Sequence, residues 1–252
     1  MAWTRADDFI AFSFGDFDSK EVGVYRTIND RHNIELAPPM NDITADVPGG
    51  DGQYYFGTFH KPKVFSIDFA FDNLKESDLV TLKKAFHGKE LKELCFAERE
   101  NVVYMAKITG SPATKVIPFD DGSGGTIYKG EGNIQLTAYW PYARDKNPIT
   151  RKATLSGSSI SFTLANNGDL STHIKIIATT KSFSKIELAD TTINGAGMTS
   201  WDSKTGIAKN ASGQLVPYSG DGLYQLPIGN TNITITGTVG TQITIEYYQQ
   251  YY

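Results

Sequence analysis

Four histidines are the residues of this sequence best suited to metal binding or to general-base chemistry. They are His32, His60, His87 and His173. Metal and catalytic histidines commonly occur in short motifs, such as HxxxH or HxxE, that bring their side chains together on one element. None of those spacings occurs here. The sequence therefore predicts no metal site, and it predicts ordinary surface or turn positions for the four histidines.

Three pairs of acidic residues are the next candidates, because two carboxylates can carry out glycoside hydrolysis. The pairs are Asp7/Asp8, Glu98/Glu100 and Asp120/Asp121. That reaction requires two carboxyl groups at a set separation across a cleft. Each pair lies at a predicted strand end or loop tip, where solvated charge is the usual explanation, so the sequence predicts surface charge here.

Motifs for nucleophilic catalysis and for phosphate binding are absent. No Ser lies in a GxSxG turn, and Cys95, the single cysteine, lies in a predicted strand without a His near it in sequence. The run from Gly122 to Gly125 lacks the GK[ST] and the following helix of a P-loop, which favours a flexible loop, predicted at 119–125. The sequence thus predicts no catalytic, cofactor-binding or metal residues, no cofactor and no enzyme.

Aromatic side chains in the second half of the chain could stack on sugar rings. Trp201, Tyr218 and Tyr224 form this set. Galectins bind sugar through a polar cluster of His, Asn, Arg, Trp and Glu, whereas residues 150–252 hold His173 as the single histidine and Arg151 as the single arginine. Packing in a core or an interface is the preferred interpretation of the three aromatic residues.

The composition excludes several classes of protein. The chain has 252 residues, enough for one large domain or two of ordinary size, and a net charge of -4, which does not suit a general nucleic-acid binder. One cysteine allows no intramolecular disulfide and fits folding in a reducing cytosol. No apolar run reaches the ~20 residues of a membrane helix. The acidic N-terminus indicates no signal peptide, so we expect synthesis in the cytoplasm and no membrane partner.

The strands are organised around the stretch from Asp46 to Phe71. Pro48 and the glycines that follow it mark a tight turn. Residues 53–59 are rich in aromatic side chains, and residues 64–71 alternate apolar with small or polar side chains, which is the period of a strand with one buried face. Pro62 fits the connection between the two runs. We predict that these two runs form an antiparallel hairpin.

One helix is predicted, from Leu74 to His87. Asn73 or Ser77 could cap its N-terminus, and Gly88 is placed to end it. Its apolar stripe, formed by Leu79, Leu82 and Phe86, predicts packing on a sheet at the open end of a β-sandwich.

The chain changes character after residues 140–148, which contain two prolines and three charges and predict a linker. Residues 149–252 are rich in Thr, Ser, Asn and Gly and show no amphipathic helix. Strands are predicted at 159–164, 173–178, 184–188, 222–227, 232–236 and 242–248. The predicted fold is mostly β: an N-terminal, sandwich-like β domain with one short helix at residues 1–145, and a C-terminal β-sandwich at residues 146–252.

The order of these features resembles the distal tail proteins (Dit) of siphoviruses, phages with long, non-contractile tails. The features that carry the resemblance are the strand FSFG at 12–15, the turn DVPGGDGQYYF at 46–56, the strand KVFSIDFAF at 63–71, the short helix ending in Gly88, and a strand pair closing on Ile108, Thr109 and Gly110. The resemblance covers residues 1–145. Residues 223–237, LYQLPIGNTNITITG, resemble a late segment of the galectin-like second domain of many Dit proteins.

The resemblance implies a structural virion protein at the tail tip. In that family the first domain forms a homohexameric ring, and two rings can lie back to back. The ring links the tail tube protein to the tail-tip hub, to a tail-associated lysin and to receptor-binding proteins of the host-adsorption apparatus or baseplate. Its channel lets genome DNA leave without specific binding. The resemblance also implies a galectin-like second domain.

Two other functions compete with this one. The first is a β-sandwich carbohydrate-binding module that contacts saccharides of the host cell wall. The second is a wall hydrolase, against which the absence of a catalytic constellation argues.

Overall fold

A computed structural model describes residues 11–27 and 38–252. By its contacts the chain divides into two compact units, of which the first ends at Ala143 and includes Tyr252, and the second runs from Arg144 to Tyr251. Both units are built mainly from antiparallel strands. The prediction of a mostly β fold is confirmed.

The first unit combines many strands with two helices among its described residues. In chain order its elements are β1 (Phe12–Phe14), β2 (Phe17–Asp18), α1 (Ser19–Val22), β3 (Tyr25–Arg26), β4 (Met40–Asp46), β5 (Gln53–His60), β6 (Lys63–Leu74), α2 (Glu76–Ala85), β7 (Lys92–Phe96), a 3-10 helix (Ala97–Arg99), β8 (Val102–Ile108), β9 (Ala113–Asp120) and β10 (Thr126–Ala138). The strand β11 (Ala143–Asp145) begins where this unit ends.

The main strands of the first unit follow the order β2-β1-β7-β8-β10-β6-β3, and β9 pairs with the N-terminal half of β10. The strand β6 shows the predicted alternation, with Ile67 and Phe69 buried and Asp68 exposed between them. The helix α2 packs on this buried face, where the ring of Phe86 lies 5.6 Å from that of Phe69 and 5.4 Å from that of Phe17. This aromatic group forms part of the core.

The pairing of β6 with β10 depends on two glycines. Gly130 lies opposite Phe71 and Gly132 lies opposite Phe69, and the phenylalanine rings cover the positions where a Cβ atom would be. A Cβ on Gly132 would lie 2.5 Å from the Phe69 ring and 2.7 Å from the carbonyl oxygen of Ala113. A residue larger than glycine at position 130 or 132 therefore fits only if one of the strands moves.

Two predictions about local structure in the first unit are wrong. The run at 53–59 does not pair with the run at 64–71, because β5 pairs with β4 and β6 pairs with β10 and β3. The helix starts at Glu76 instead of Leu74, because the pairing of β6 with β10 continues to Leu74, whose side chain is buried. Its first turn is capped by Asp78, whose carboxylate accepts a hydrogen bond from the backbone N–H of Lys75.

The end of the helix and one neighbouring strand also differ from expectation. Ala85 is the last helical residue and Phe86 is the C-cap, so Gly88 lies beyond the predicted capping position. The helical turn α1 and the strand β9 were not predicted, and the expected loop at 119–125 begins inside β9. Every residue of β9 is exposed. The strand therefore has no alternation of buried and exposed positions that its sequence could reveal.

The second unit is a sandwich of two antiparallel sheets. After β11 its elements are β12 (Ile149–Thr154), β13 (Ser159–Asn166), β14 (Ile174–Ala178), β15 (Phe183–Leu188), β16 (Thr191–Met198), β17 (Ser200–Asp202), β18 (Ile207–Lys209), β19 (Gly229–Gly237), β20 (Gln242–Tyr247) and β21 (Gln250–Tyr251). One sheet has the order β12-β20-β14-β17-β18 and the other has the order β13-β19-β15-β16. Their facing side chains, among them Ile176, Ile186 and Ile235, share one core.

Five of the six strands predicted in the second unit correspond to strands of the structure. The sixth, at 222–227, is wrong: Leu226 makes an isolated bridge to Thr172, and the rest of the segment is irregular. The strands β12, β16, β17, β18 and β21 were not predicted.

The glycine that faces Phe69 gives a direct test of this packing. We expect Gly132→Ala to destabilise the first unit by about 1–3 kcal/mol, because the added methyl group collides with a ring and a backbone oxygen. Gly88→Ala is the matched control, since its Cβ would meet only the flexible end of Lys92 at 3.7 Å. Urea unfolding of both variants measures the difference, and equal stability of the two would contradict the packing described.

Candidate functional site

The histidines lie apart from one another. His60 is half-buried, with its ring 5.5 Å from that of Tyr142, and His87 is exposed just after α2. His173 bonds through Nδ1 to the carbonyl oxygen of Tyr224 at 3.0 Å, and His32 lies outside the described residues. Within residues 11–27 and 38–252, no three His, Cys, Asp or Glu side chains are grouped as metal ligands.

The acidic residues have structural partners. Glu98 forms an ion pair with Arg26 at 3.2 Å, and Asp7/Asp8 lie outside the described residues. Asp121 accepts hydrogen bonds from the hydroxyl and backbone N–H of Ser123 and from the N–H of Gly125, and these bonds lower the pKa of its carboxyl group. The predicted flexible loop is therefore a hydrogen-bonded turn that joins β9 to β10.

Cys95 and the aromatic set of the second unit have packing roles. Cys95 is buried in β7, and its thiol lies 3.4 Å from the carbonyl oxygen of Glu100. Trp201 is fully buried in the core, and Tyr218 and Tyr224 are half-buried against it. Burial raises the pKa of the Tyr224 phenol. These three rings do not form an exposed platform for a sugar.

The most unusual surface of the chain is the hairpin of β4 and β5, hereafter the hairpin. It forms a two-stranded sheet of its own, and no residue of either strand is fully buried. Four large apolar side chains of the hairpin, Ile43, Tyr54, Phe56 and Phe59, are between 46% and 66% exposed. A hairpin of two strands is marginally stable by itself in water, so this one requires a covering surface.

A β-bulge separates the hairpin into a polar and an apolar face. Thr44 pairs with Tyr55 and Ile43 pairs with Gly57, so that Phe56 is the additional residue of β5. The ring of Phe56 lies 6.5 Å from that of Tyr54. Cross-strand partners share a face of a sheet, which places Ile43, Tyr54, Phe56 and Phe59 together on what we call the apolar face.

The opposite face of the hairpin is joined by hydrogen bonds. The hydroxyl of Thr58 donates to Asp42 and lies 2.6 Å from the phenol oxygen of Tyr55. Nearer the turn, the Gln53 amide donates to Asp46 at 2.9 Å. We call this side the polar face. Its side chains bond to one another, although Tyr55 and Met40 on this face are 63% and 60% exposed.

A second apolar surface of the first unit is a groove between α2 and the β9–β10 strand pair. The groove has a volume of about 1000 Å³. Its lining includes Val80 and Phe86 from the helix side, Val116 from β9 and Tyr128 from β10. Val80 and Val116 are both about 40% exposed (42% and 40%). The groove is thus apolar, open and bounded by two rigid elements.

Comparison with known proteins identifies the first unit. A family model described as the phage tail protein RIFT-related domain matches residues 19–138, which include the hairpin, α2 and the β6–β10 pair. This segment is similar to that family of phage tail proteins. None of the curated proteins matches the chain in sequence.

The fold of the whole chain is similar to that of a solved tail protein. The crystal structure of SPP1 Dit (gp 19.1), presented as a paradigm of the hub adsorption apparatus in phages that infect Gram-positive bacteria, has a TM-score of 0.61 to this chain at 12% identity. The similarity covers 96% of this chain and 99% of that one. The predicted resemblance to the distal tail proteins is confirmed. The family match supports a structural role in a phage tail.

Sequence reasoning predicted a strand at 53–59 but none at 40–46, and it missed the surface that the two strands form. The aromatic run at 53–59 indicated a strand, and burial of its side chains was the natural expectation. A usable signal was present: residues 42–46 alternate short polar with apolar side chains shortly before the turn at 48–52. Among the described residues, no helix has both the length and the apolar character to cross a membrane.

The absence of a ligand cluster leads to a prediction about stability. We expect chelator and reductant to leave the melting temperature unchanged, because Cys95 is the single cysteine and the described histidines have ordinary packing partners. Differential scanning calorimetry with and without each reagent measures this. A fall of several degrees with chelator alone would reveal a metal site that the account lacks.

Proposed function

We propose that the chain is the subunit of a homohexameric ring at the tip of a phage tail, formed through its first unit. The observation that carries the proposal is the uncovered apolar face of the hairpin. The number six comes from the family resemblance and not from the geometry of one chain.

Ring formation meets a physical need of the fold. Exposed apolar patches of this kind mark interaction surfaces, and open strand edges require pairing or cover. A head-to-tail contact repeated with a rotation that divides a full turn gives a closed ring in which every copy covers its neighbour. We expect each contact to bury on the order of 1,600 Å² in total, the standard size of a stable interface.

The proposed ring joins the tail tube protein to the tail-tip hub, to a tail-associated lysin and to receptor-binding proteins. Two rings back to back are compatible with this arrangement. Genome DNA passes through the central channel without specific binding, and the net charge of -4 suits a channel that must not hold phosphate groups. The site of action is the tail tip of the virion, after synthesis in the host cytoplasm.

The two domains have separate parts in this proposal. Residues 1–145 form the ring. Residues 146–252 form a galectin-like β-sandwich that serves the adsorption apparatus. Within residues 11–27 and 38–252 no three His, Cys, Asp or Glu side chains are grouped as metal ligands, and the proposed role is that of a structural component and not of an enzyme. A role as a cell-wall carbohydrate-binding module has less support, because Trp201 lies in the core.

The ring can be tested by the mass and shape of the purified full-length protein. At tens of micromolar we expect light scattering to give the mass of six chains, or of twelve for paired rings, and negative-stain images to show rings. Tyr54→Ser removes an apolar-face ring and should weaken assembly by about tenfold or more, as expected for loss of a buried aromatic anchor.

Tyr55→Ser is the matched control for Tyr54→Ser. Both tyrosines are exposed and adjacent in β5, but Tyr55 lies on the polar face. We expect the control to assemble nearly as well as the unmodified protein. A strict monomer at all concentrations, together with tight binding to a cell-wall glycan, would replace the ring with the carbohydrate-binding function.

A further inference from the structure

We propose that the apolar face of the hairpin of one copy docks into the groove between α2 and the β9–β10 strand pair of the next copy. This inference rests on the proposed ring and names the two surfaces that meet in it. The occupant of the groove is therefore a second copy of this chain.

The two surfaces have matching character. The hairpin presents Tyr54 and Phe56 side by side, and the groove presents Val80 and Val116 on opposite walls. All four side chains are substantially exposed in the single chain. Contact between the two surfaces would remove the largest apolar side chains of both from water, which is the main favourable term in protein association.

Charge distinguishes this contact from contact between two hairpins. Residues 40–60 contain Asp42, Asp46 and Asp51 and neither Lys nor Arg. Two hairpins brought together would combine the fields of like charges, with no lysine or arginine of residues 40–60 to offset them, which is unfavourable. Self-association of the apolar faces is therefore the weaker alternative.

The groove has the opposite charge at its edge. The titratable residues of its lining are Lys83, Lys84, His87, Glu76 and Tyr128. The lysines lie near the C-terminus of α2 and are exposed. Because the lining contains two lysines and one glutamate, the electrostatic field at the groove favours an acidic partner. The hairpin, with its aspartates, is such a partner. Asp42 and Asp46 lie on the polar face and therefore do not contact the groove directly. They attract its lysines over a longer distance and so help to orient the two copies.

The contact also explains why assembly would close into a ring. The hairpin and the groove are different surfaces of the same unit, so the contact is heterologous and leaves one free hairpin and one free groove at the ends of any open chain of copies. Closure occupies both. An isologous contact would stop at a dimer.

Site-specific cross-linking tests the docking. We co-express two single variants, Phe56→Cys in the hairpin and Val116→Cys in the groove, and treat the assembled protein with a short bis-maleimide. We expect a covalent dimer in the mixture and little dimer when either variant is treated alone, because each neighbouring pair brings one hairpin to one groove. Cys95 is buried, and the unmodified protein measures its background.

A variant on the other face supplies the control. Thr44→Cys lies on the same hairpin but on the polar face, and co-expressed with Val116→Cys it should give several-fold less dimer. Dimer from Phe56→Cys alone would overturn the proposal in favour of hairpin-to-hairpin contact. Rings that form without cross-linking between the two variants would overturn the docking and leave the ring intact, whereas a monomer in light scattering would overturn both.

Discussion

The first unit depends on the close pairing of β6 with β10, where two phenylalanine rings lie over two glycines. Phe69 and Phe71 point to the same side of β6 and fill the space that side chains at 132 and 130 would occupy. Phe69 then contacts Phe86 of α2, so the helix takes its position from the same pair of strands. Because β10 also carries β9, one packing arrangement fixes the helix and both strands that border the groove.

The same arrangement leaves the hairpin outside the core. Side chains of β6 and β10 already cover the face of α2 that packs on the main sheet. The strands β4 and β5 pair with each other in a separate sheet. The β-bulge at Phe56 then places the rings of Phe56 and Tyr54 on one face, together with Ile43 and Phe59. An apolar face that the unit cannot cover by itself is a strong physical reason for assembly, and residues 19–138 match a domain of phage tail proteins.

Sequence reasoning succeeded where the two faces of an element differ and failed where they do not. The alternation of β6 was readable because Phe69 is buried while Asp68 is exposed. The strand β9 was not readable, because all its residues are exposed and Pro118 lies within it. The partner of β5 could not be read at all, since an aromatic run specifies a strand and not its neighbour. The helix start was misplaced because sheet pairing as far as Leu74 outweighs a capping signal at Asn73. The sequence showed the aromatic residues of the candidate site but not that they form an exposed surface, because exposure depends on the arrangement of distant strands.

Hydrogen–deuterium exchange at two protein concentrations tests the central claim most directly, namely that a neighbouring copy covers the hairpin. The account predicts that amides of residues 40–60 exchange slowly at tens of micromolar and much faster in dilute protein, while the β14–β20 pair of the second unit exchanges at the same rate in both. Assembled protein in which residues 40–60 exchange as fast as in dilute protein would contradict it, since the hairpin would then be uncovered in the assembly.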